Sequence, residues 1–347
     1  MPSRIREEVE SVFSNLKYPI IQAPMAGGIS TVELAVAVSQ LGGLGFLAAG
    51  YKTPEALEQE IQQCKATNLP FGVNIFVPQN DPIDESVYTY KERLEKDYQM
   101  ALPIPEPNDD YWEEKLELVQ KHQVPYVSFT FGCPSKEVNE QIKTGGSHVI
   151  VTVTNLQEAK TAHQNGADAI CLQSAEAGGH RATFQNVDED SQVPLLELIQ
   201  EIRQEIQIPI IAAGGNINGK DIREALHAGA DAVQLGTAFL CTEESGANPI
   251  YKQALQSGKF TETALTRTFS GRLARGLKNE FMTKYENIAP ANYPAVNSLT
   301  KPIRAKALKD QNPQDMSLWA STKFKEIKPG TVEEVFDLLT KEFIQQS

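Results

Sequence analysis

Short runs of apolar and β-branched residues alternate along this chain with longer stretches in which apolar positions recur every three or four residues. The first pattern predicts strands at 20–23, 44–48, 71–76, 126–130, 148–153, 169–173, 209–213 and 232–235. The second predicts helices at 31–40, 54–64, 111–121, 155–165, 194–206 and 219–228. Nearly all eight strands read as continuous apolar runs. Strands buried on both faces of a parallel sheet look this way. Eight strand–helix units favour an α/β protein built as a (β/α)8 TIM barrel over an open doubly wound sheet. The tetrapeptide "GADA" supports a repeat: it occurs at 166–169 and 229–232, each time closing a helix and opening a strand.

Two segments exceed the bare barrel. Residues 77–110 are polar and proline-containing, and predict a loop inserted after the third strand, on the face where barrel active sites sit. The tail 243–347 predicts a helical extension covering the barrel mouth, with the barrel itself over 1–242. The last stretch, 331–346, is an amphipathic helix with Thr331 as N-cap and Glu334 completing a capping box. It reads as barrel closure or as a contact between two copies in a homodimer.

Composition narrows the function. The 347 residues suit a barrel of about 250 residues plus an extension of about 100. The net charge of −13 opposes phosphate backbones, so nucleic acid is not an expected partner. An anionic substrate would need a local positive patch. Cys64, Cys133, Cys171 and Cys241 form no CxxC pair and no zinc spacing, which points to a reducing compartment and no metal. The opening "MPSRIREEVESVF" carries no apolar signal region. The uncharged stretch 34–51 is broken by Ser39, Gln40 and four glycines, and reads as helix, turn and strand rather than a membrane span. A cytoplasmic protein is expected.

Ligand contacts in such a barrel come from the C-terminal strand ends. There the sequence is rich in small and uncharged residues: "PMAGG", Asn74, "FGCP", "QSAEAGGHR", "AAGGN" and "QLGT". Gly214-Gly215 and Gly236-Thr237, after the last two barrel strands, each precede a helix and predict a phosphate site of bare backbone N–H groups. His180 follows two glycines in a long loop after the sixth strand, where an imidazole serves as general base or as a polarising group. Glu176 and Arg181 flank it, either tuning it or pairing with each other. His122, His148, His163 and His227 read as structural. Cys133 sits at the mouth, and packing against a ligand suits it better than nucleophilic attack. No Walker loop or Rossmann fingerprint appears.

With these residues in hand, the sequence resembles the nitronate monooxygenases, formerly called 2-nitropropane dioxygenases. The matching stretches are "PIIQAPMAGGIST", "GGLGFLAAGY", "FGVNIF", "VSFTFGCP", "QSAEAGGHRATF", "PIIAAGGNI" and "VQLGTAFLCTEES". "FSGRLARGLKN" and "SLWA" extend the likeness into the tail and resemble the bacterial class I branch. The resemblance implies an FMN enzyme that oxidises alkyl nitronates, such as propionate 3-nitronate, with dioxygen to a carbonyl compound and nitrite. It implies FMN contacts at Asn74, Gln173, Gly178, Gly179, Gly214, Gly215, Gln234, Leu235, Gly236 and Thr237, with Ala23 and Met25 near the isoalloxazine. It makes His180 the active-site histidine and Tyr293 and Lys301 substrate-mouth residues. Asn216 departs from the isoleucine that many relatives carry after the double glycine.

Three other readings stay open. A flavin-dependent enoyl-acyl-carrier-protein reductase shares the barrel, FMN and a similar "AGGH" loop, but the length and tail motifs fit it poorly. An NADH:quinone reductase and a non-catalytic flavin-binding protein are the others.

Overall fold

The computed structural model describes residues 12–79, 82–186 and 192–344. The opening stretch 1–11 and the end of the last expected helix lie outside the described residues.

The strands are β1 (Ile20–Gln22), β2 (Gly45–Ala48), β3 (Phe71–Phe76), β4 (Tyr126–Thr130), β5 (His148–Val153), β6 (Ala169–Gln173), β7 (Gly179–His180), β8 (Ile210–Ala213), β9 (Ala232–Leu235), β10 (Thr263–Thr266) and β11 (Ala274–Leu277). Eight of them pair in parallel in the order β1-β9-β8-β6-β5-β4-β3-β2. A parallel bridge from Ile21 to Leu44 joins the two ends, so the sheet closes into the expected (β/α)8 barrel. Observed and expected strands agree to within a residue at each end.

The helices are α1 (Val32–Gln40), α2 (Pro54–Ala66), α3 (Glu85–Tyr98), α4 (Trp112–Lys121), α5 (Lys136–Thr144), α6 (Leu156–Gln164), α7 (Leu195–Glu205), α8 (Gly219–Ala228), α9 (Pro249–Gln256), α10 (Glu280–Tyr285), α11 (Ala295–Lys309) and α12 (Val332–Ile344). The stretch 34–51 resolves into α1, a turn and β2. Among the described residues, no helix is long and apolar enough to cross a membrane.

Three expectations need correction. The insertion after β3 is not a plain loop, because it contains the 14-residue α3, capped by the Asp84 side chain on the Ser86 N–H. Val87, Tyr90 and Leu94 form its narrow apolar stripe in an otherwise charged segment. That stripe packs against the tail, in a second core with Phe269, Phe281, Tyr285, Val296 and Leu299. Helix α5 escapes the sequence pattern because only Asn139 and Ile142 are buried on it. The tail is not purely helical: β10 and β11 pair antiparallel, and β11 also pairs with β7. The loop carrying His180 is thereby stitched to the tail through Ala274 opposite His180.

Helix α12 leaves the mouth altogether. Its capping box forms as read, with Glu334 accepting the Thr331 N–H at 2.9 Å and Thr331 accepting the Glu334 N–H at 3.2 Å. Val332, Val335, Phe336 and Leu339 join the main barrel core with Leu34, Val38 and Ile222. It packs between α1 and α8, as the eighth helix of the ring.

Candidate active site

A cleft opens at the C-terminal ends of the barrel strands, with about 1140 Å³ of atom-free space counting its mouth. One end is an anion cradle. Gly214 and Gly215 have φ of +108° and +73°, and a Cβ on Gly214 would lie 2.6 Å from Ser174 Oγ. Among the described residues, the N–H groups of Gly215, Asn216, Gly236 and Thr237 find no acceptor. Asn216 turns its side chain back to the Ala212 carbonyl at 3.2 Å, so this departure leaves the cradle's backbone unobstructed. Thr237 Oγ1 accepts the Ser321 N–H at 3.0 Å. The Ser321 Oγ is buried in the lining with no hydrogen-bond partner. Gly178 serves this closure, since a Cβ there would lie 2.6 Å from the Ala320 carbonyl carbon and 2.7 Å from the Ser321 nitrogen.

Amides line the middle of the cleft. Ser128 and Thr130 donate to Asn74 Oδ1 at 2.8 and 2.9 Å, which leaves the Asn74 NH2 as the free group. Gln173 Oε1 accepts from Arg181 Nη1 at 2.6 Å and the Ala182 N–H at 2.9 Å, and its Nε2 donates to the His180 carbonyl at 3.0 Å. Gln173 therefore holds the His180 loop as well as facing the cleft. Ala23, Met25, Gly179, Gln234 and Gly236 also line it. Leu235 does not; its side chain lies in the barrel core.

The far end is built around His180. Its Nε2 lies 2.9 Å from Ser270 Oγ, which itself donates to the Arg272 carbonyl at 3.1 Å. Ser270 Oγ therefore anchors one ring nitrogen of His180 and leaves Nδ1 as the other polar atom of the ring. The ring sits among Trp319, Tyr293 and Phe131 at centroid distances of 5.4, 5.7 and 5.9 Å. Burial, reinforced by the positive charges of Arg272 and Arg304, pushes the His180 pKa down to about 3. The imidazole is neutral at physiological pH. The charges that tune it come from the tail rather than from Glu176 and Arg181. Buried Arg181 binds the Ser174 carbonyl at 2.7 Å, and Glu176 faces Ser174 Oγ at 3.4 Å. Arg272 lies 4.4 Å over the Phe131 ring, and Arg304 donates to the Asn297 carbonyl at 2.7 Å. Both cations lie behind the cleft wall rather than in its lining.

Tyr293 is buried, and its hydroxyl lies 2.9 Å from that of Tyr51. It borders a smaller cavity beside the cleft. Lys301 is exposed on α11 and lines neither cavity. Cys133 packs against the barrel core outside the cleft lining, not against a ligand position, and burial raises its thiol pKa. Sequence reasoning missed Tyr51, Tyr251, Ser270, Arg272, Trp319 and Ser321. "FSGRLARG" and "SLWA" hold or adjoin four of them, but nothing in those stretches shows that they fold back onto the strand ends.

The family model for nitronate monooxygenase matches residues 10–342. A probable nitronate monooxygenase of Staphylococcus haemolyticus is 41% identical, over 94% of this chain and 96% of its own. The structure of a nitroalkane oxidase from Streptomyces ansochromogenes superposes with a TM-score of 0.93 at 42% identity, covering 96% of this chain and 98% of that one. FabK from Thermotoga maritima gives a TM-score of 0.76 at 25% identity, covering 99% and 97%. A barrel, a mouth-facing histidine and a likeness that runs almost from end to end have one reading: this chain belongs to the nitronate monooxygenase family and is an oxidoreductase.

Proposed function

We propose that the chain binds FMN in the cleft and oxidises alkyl nitronates, propionate 3-nitronate among them, with dioxygen to a carbonyl compound and nitrite. The observation that carries this reading is one cleft with a bare anion cradle at one end and a neutral, aromatic-ringed histidine at the other. The cradle fits a single phosphate: four unpaired N–H groups and the orphaned Ser321 Oγ are donors awaiting an acceptor. Asn74, Gln173 and Gln234 would meet the polar edge of the isoalloxazine, and Ala23 and Met25 its apolar surface. When bound, FMN supplies the redox chemistry; the protein positions it and shields it.

The remaining work falls to side chains. A nitronate is already an anion, so no strong base is needed. In our reading His180 orients the nitronate by hydrogen bonding, and Arg272 and Arg304, behind the wall, hold His180 neutral. The barrel then holds the flavin and the tail covers the substrate side. Uncharged, apolar walls around His180 suit small organic nitronates, and the enzyme works in the cytoplasm.

The test is direct. Denaturing the purified protein should release a flavin with one phosphate. With propionate 3-nitronate under air, nitrite should appear and oxygen be consumed without NADH. An absolute requirement for NADH would favour the reductase readings, and bound flavin without any nitrite would favour a non-catalytic binder.

A further inference from the structure

Tyr51 and Phe76 are the two side chains shared by the active-site cleft and the smaller cavity beside it. Tyr51 follows β2 with φ of +67°, in the left-handed region that a bulky residue rarely occupies. The residue as a whole is 43% exposed, so burial alone does not hold it there. Three contacts do. Its N–H donates to Asp110 Oδ1 at 3.0 Å. The other Asp110 oxygen lies 2.8 Å from Nζ of Lys115, whose side chain is fully buried. The Tyr51 hydroxyl meets that of Tyr293 at 2.9 Å, and its ring stands edge-on to Phe76 at 5.5 Å. A buried lysine is costly and strained backbone persists only where the surroundings over-determine it. Here both converge on one aromatic side chain at the mouth, away from the phosphate cradle.

We propose that Tyr51 is a specificity-determining residue, a partition that separates the cleft from the side cavity and limits the chain length of the nitronate accepted. Asp110 and Lys115 are its positioning residues. This rests on the nitronate reading above. With the phenol in place, a substrate chain growing away from the nitronate carbon meets the Tyr51–Phe76 wall. Without it, the chain passes into the side cavity.

The experiment compares holoenzyme carrying Tyr51→Ala or Tyr51→Phe with the wild type. The readout is kcat/KM for the nitronates of ethane, butane and hexane. The hexane-to-ethane ratio should rise by about tenfold or more in Tyr51→Ala, the low end of what fitting one methylene is worth. Tyr51→Phe keeps the wall and should keep the wild-type length dependence. Tyr51→Asn, small and tolerant of left-handed backbone, repeats the test should the alanine variant fold poorly. Calorimetric binding of hexanoate against propionate reads the same partition without turnover. A wild type that releases no nitrite from any nitronate defeats the functional reading, and the calorimetric ratio then decides the partition by itself. An unchanged length dependence in Tyr51→Ala and Tyr51→Asn, at wild-type flavin content, overturns the proposal.

Discussion

His180 shares a hydrogen bond with Ser270 through Nε2 and sits where burial and two arginines oppose a second proton. A base with a pKa near 3 pulls weakly on a carbon-bound proton at neutral pH. Preformed nitronate should therefore outpace the neutral nitroalkane by about 10²–10⁴, the weight that a matched general base would have supplied. His180→Asn keeps a donor of similar reach, so its flavin-normalised rate on preformed nitronate should stay within about tenfold of wild type. No limb from His180 should appear in that substrate's kcat/KM between pH 5 and 9. The sign of the stability effect follows from the depressed pKa. Stability is present above the unfolded value of about 6.5 and is lost as pH falls towards the folded value. Acid unfolding of His180→Asn should lack that contribution. Ser321 yields a second test. Its buried hydroxyl has no partner in the protein, so Ser321→Ala should not destabilise the flavin-free chain. It should weaken FMN binding by about tenfold or more, since a hydrogen bond to a charged group contributes about 1.5–3 kcal/mol. Flavin fluorescence titration and thermal unfolding of the flavin-free protein measure the two quantities.

Secondary elements were readable where their burial is two-sided and local. Barrel strands such as β5 and β6 are continuous apolar runs, and their ends fell where the runs end. The "GADA" repeat proved to be a joint. Asp168 takes the Val149 N–H at 2.8 Å and Asp231 takes the Ile210 N–H at 2.9 Å, each tying a strand's start to its neighbour. Helix α3 and the β10–β11 hairpin were not readable, because their partners lie far along the chain. Tyr90 of α3 donates to the Thr268 carbonyl across 178 positions, and no periodicity in a short window encodes that. The site divides the same way. His180 stands out in its glycine loop, whereas Ser270, 90 positions away, does not. The family resemblance gives Gly178 a flavin contact, and the structure adds a second demand on it: the 320–321 backbone closes against its missing Cβ. Backbone cannot retreat as a flexible side chain can. Gly178→Ala should push this strip off the cleft, lower flavin retention on gel filtration and disturb the tilted contact of Trp319 with His180. Full flavin content and an unshifted Trp fluorescence spectrum would show that the strip has room to spare.

Of the hydrophobic clusters in the described molecule, two bear on the mouth in different ways. The barrel core takes in α12 from the far end of the chain, and the second core joins the β3 insertion to the tail above the cleft. The likeness to known proteins runs through both, but their roles should separate under mutation. Phe336 of α12 is 1% exposed, and Leu299 of α11 is fully buried. Phe336→Ala removes a large side chain from the core that closes the ring of helices and should cost about 3–5 kcal/mol. In a barrel that unfolds as one unit, that loss should lower the Tm by roughly 5–10 °C and raise hydrogen exchange in barrel strands on both sides of β1. Leu299→Ala creates a cavity of the same order, costing about 2–5 kcal/mol. Its effect should be confined to a locally opening unit. Exchange should rise in α3, α10 and α11, while β3 to β6 stay as protected as in the wild type. Flavin should stay bound and KM for nitronate should rise, because Trp319 beside His180 packs against the second core. Mass-spectrometric hydrogen exchange on the two variants decides this. Equal loss of protection in the barrel strands of both would mean that the cores form one cooperative unit, and that the cover over the cleft cannot loosen without the barrel.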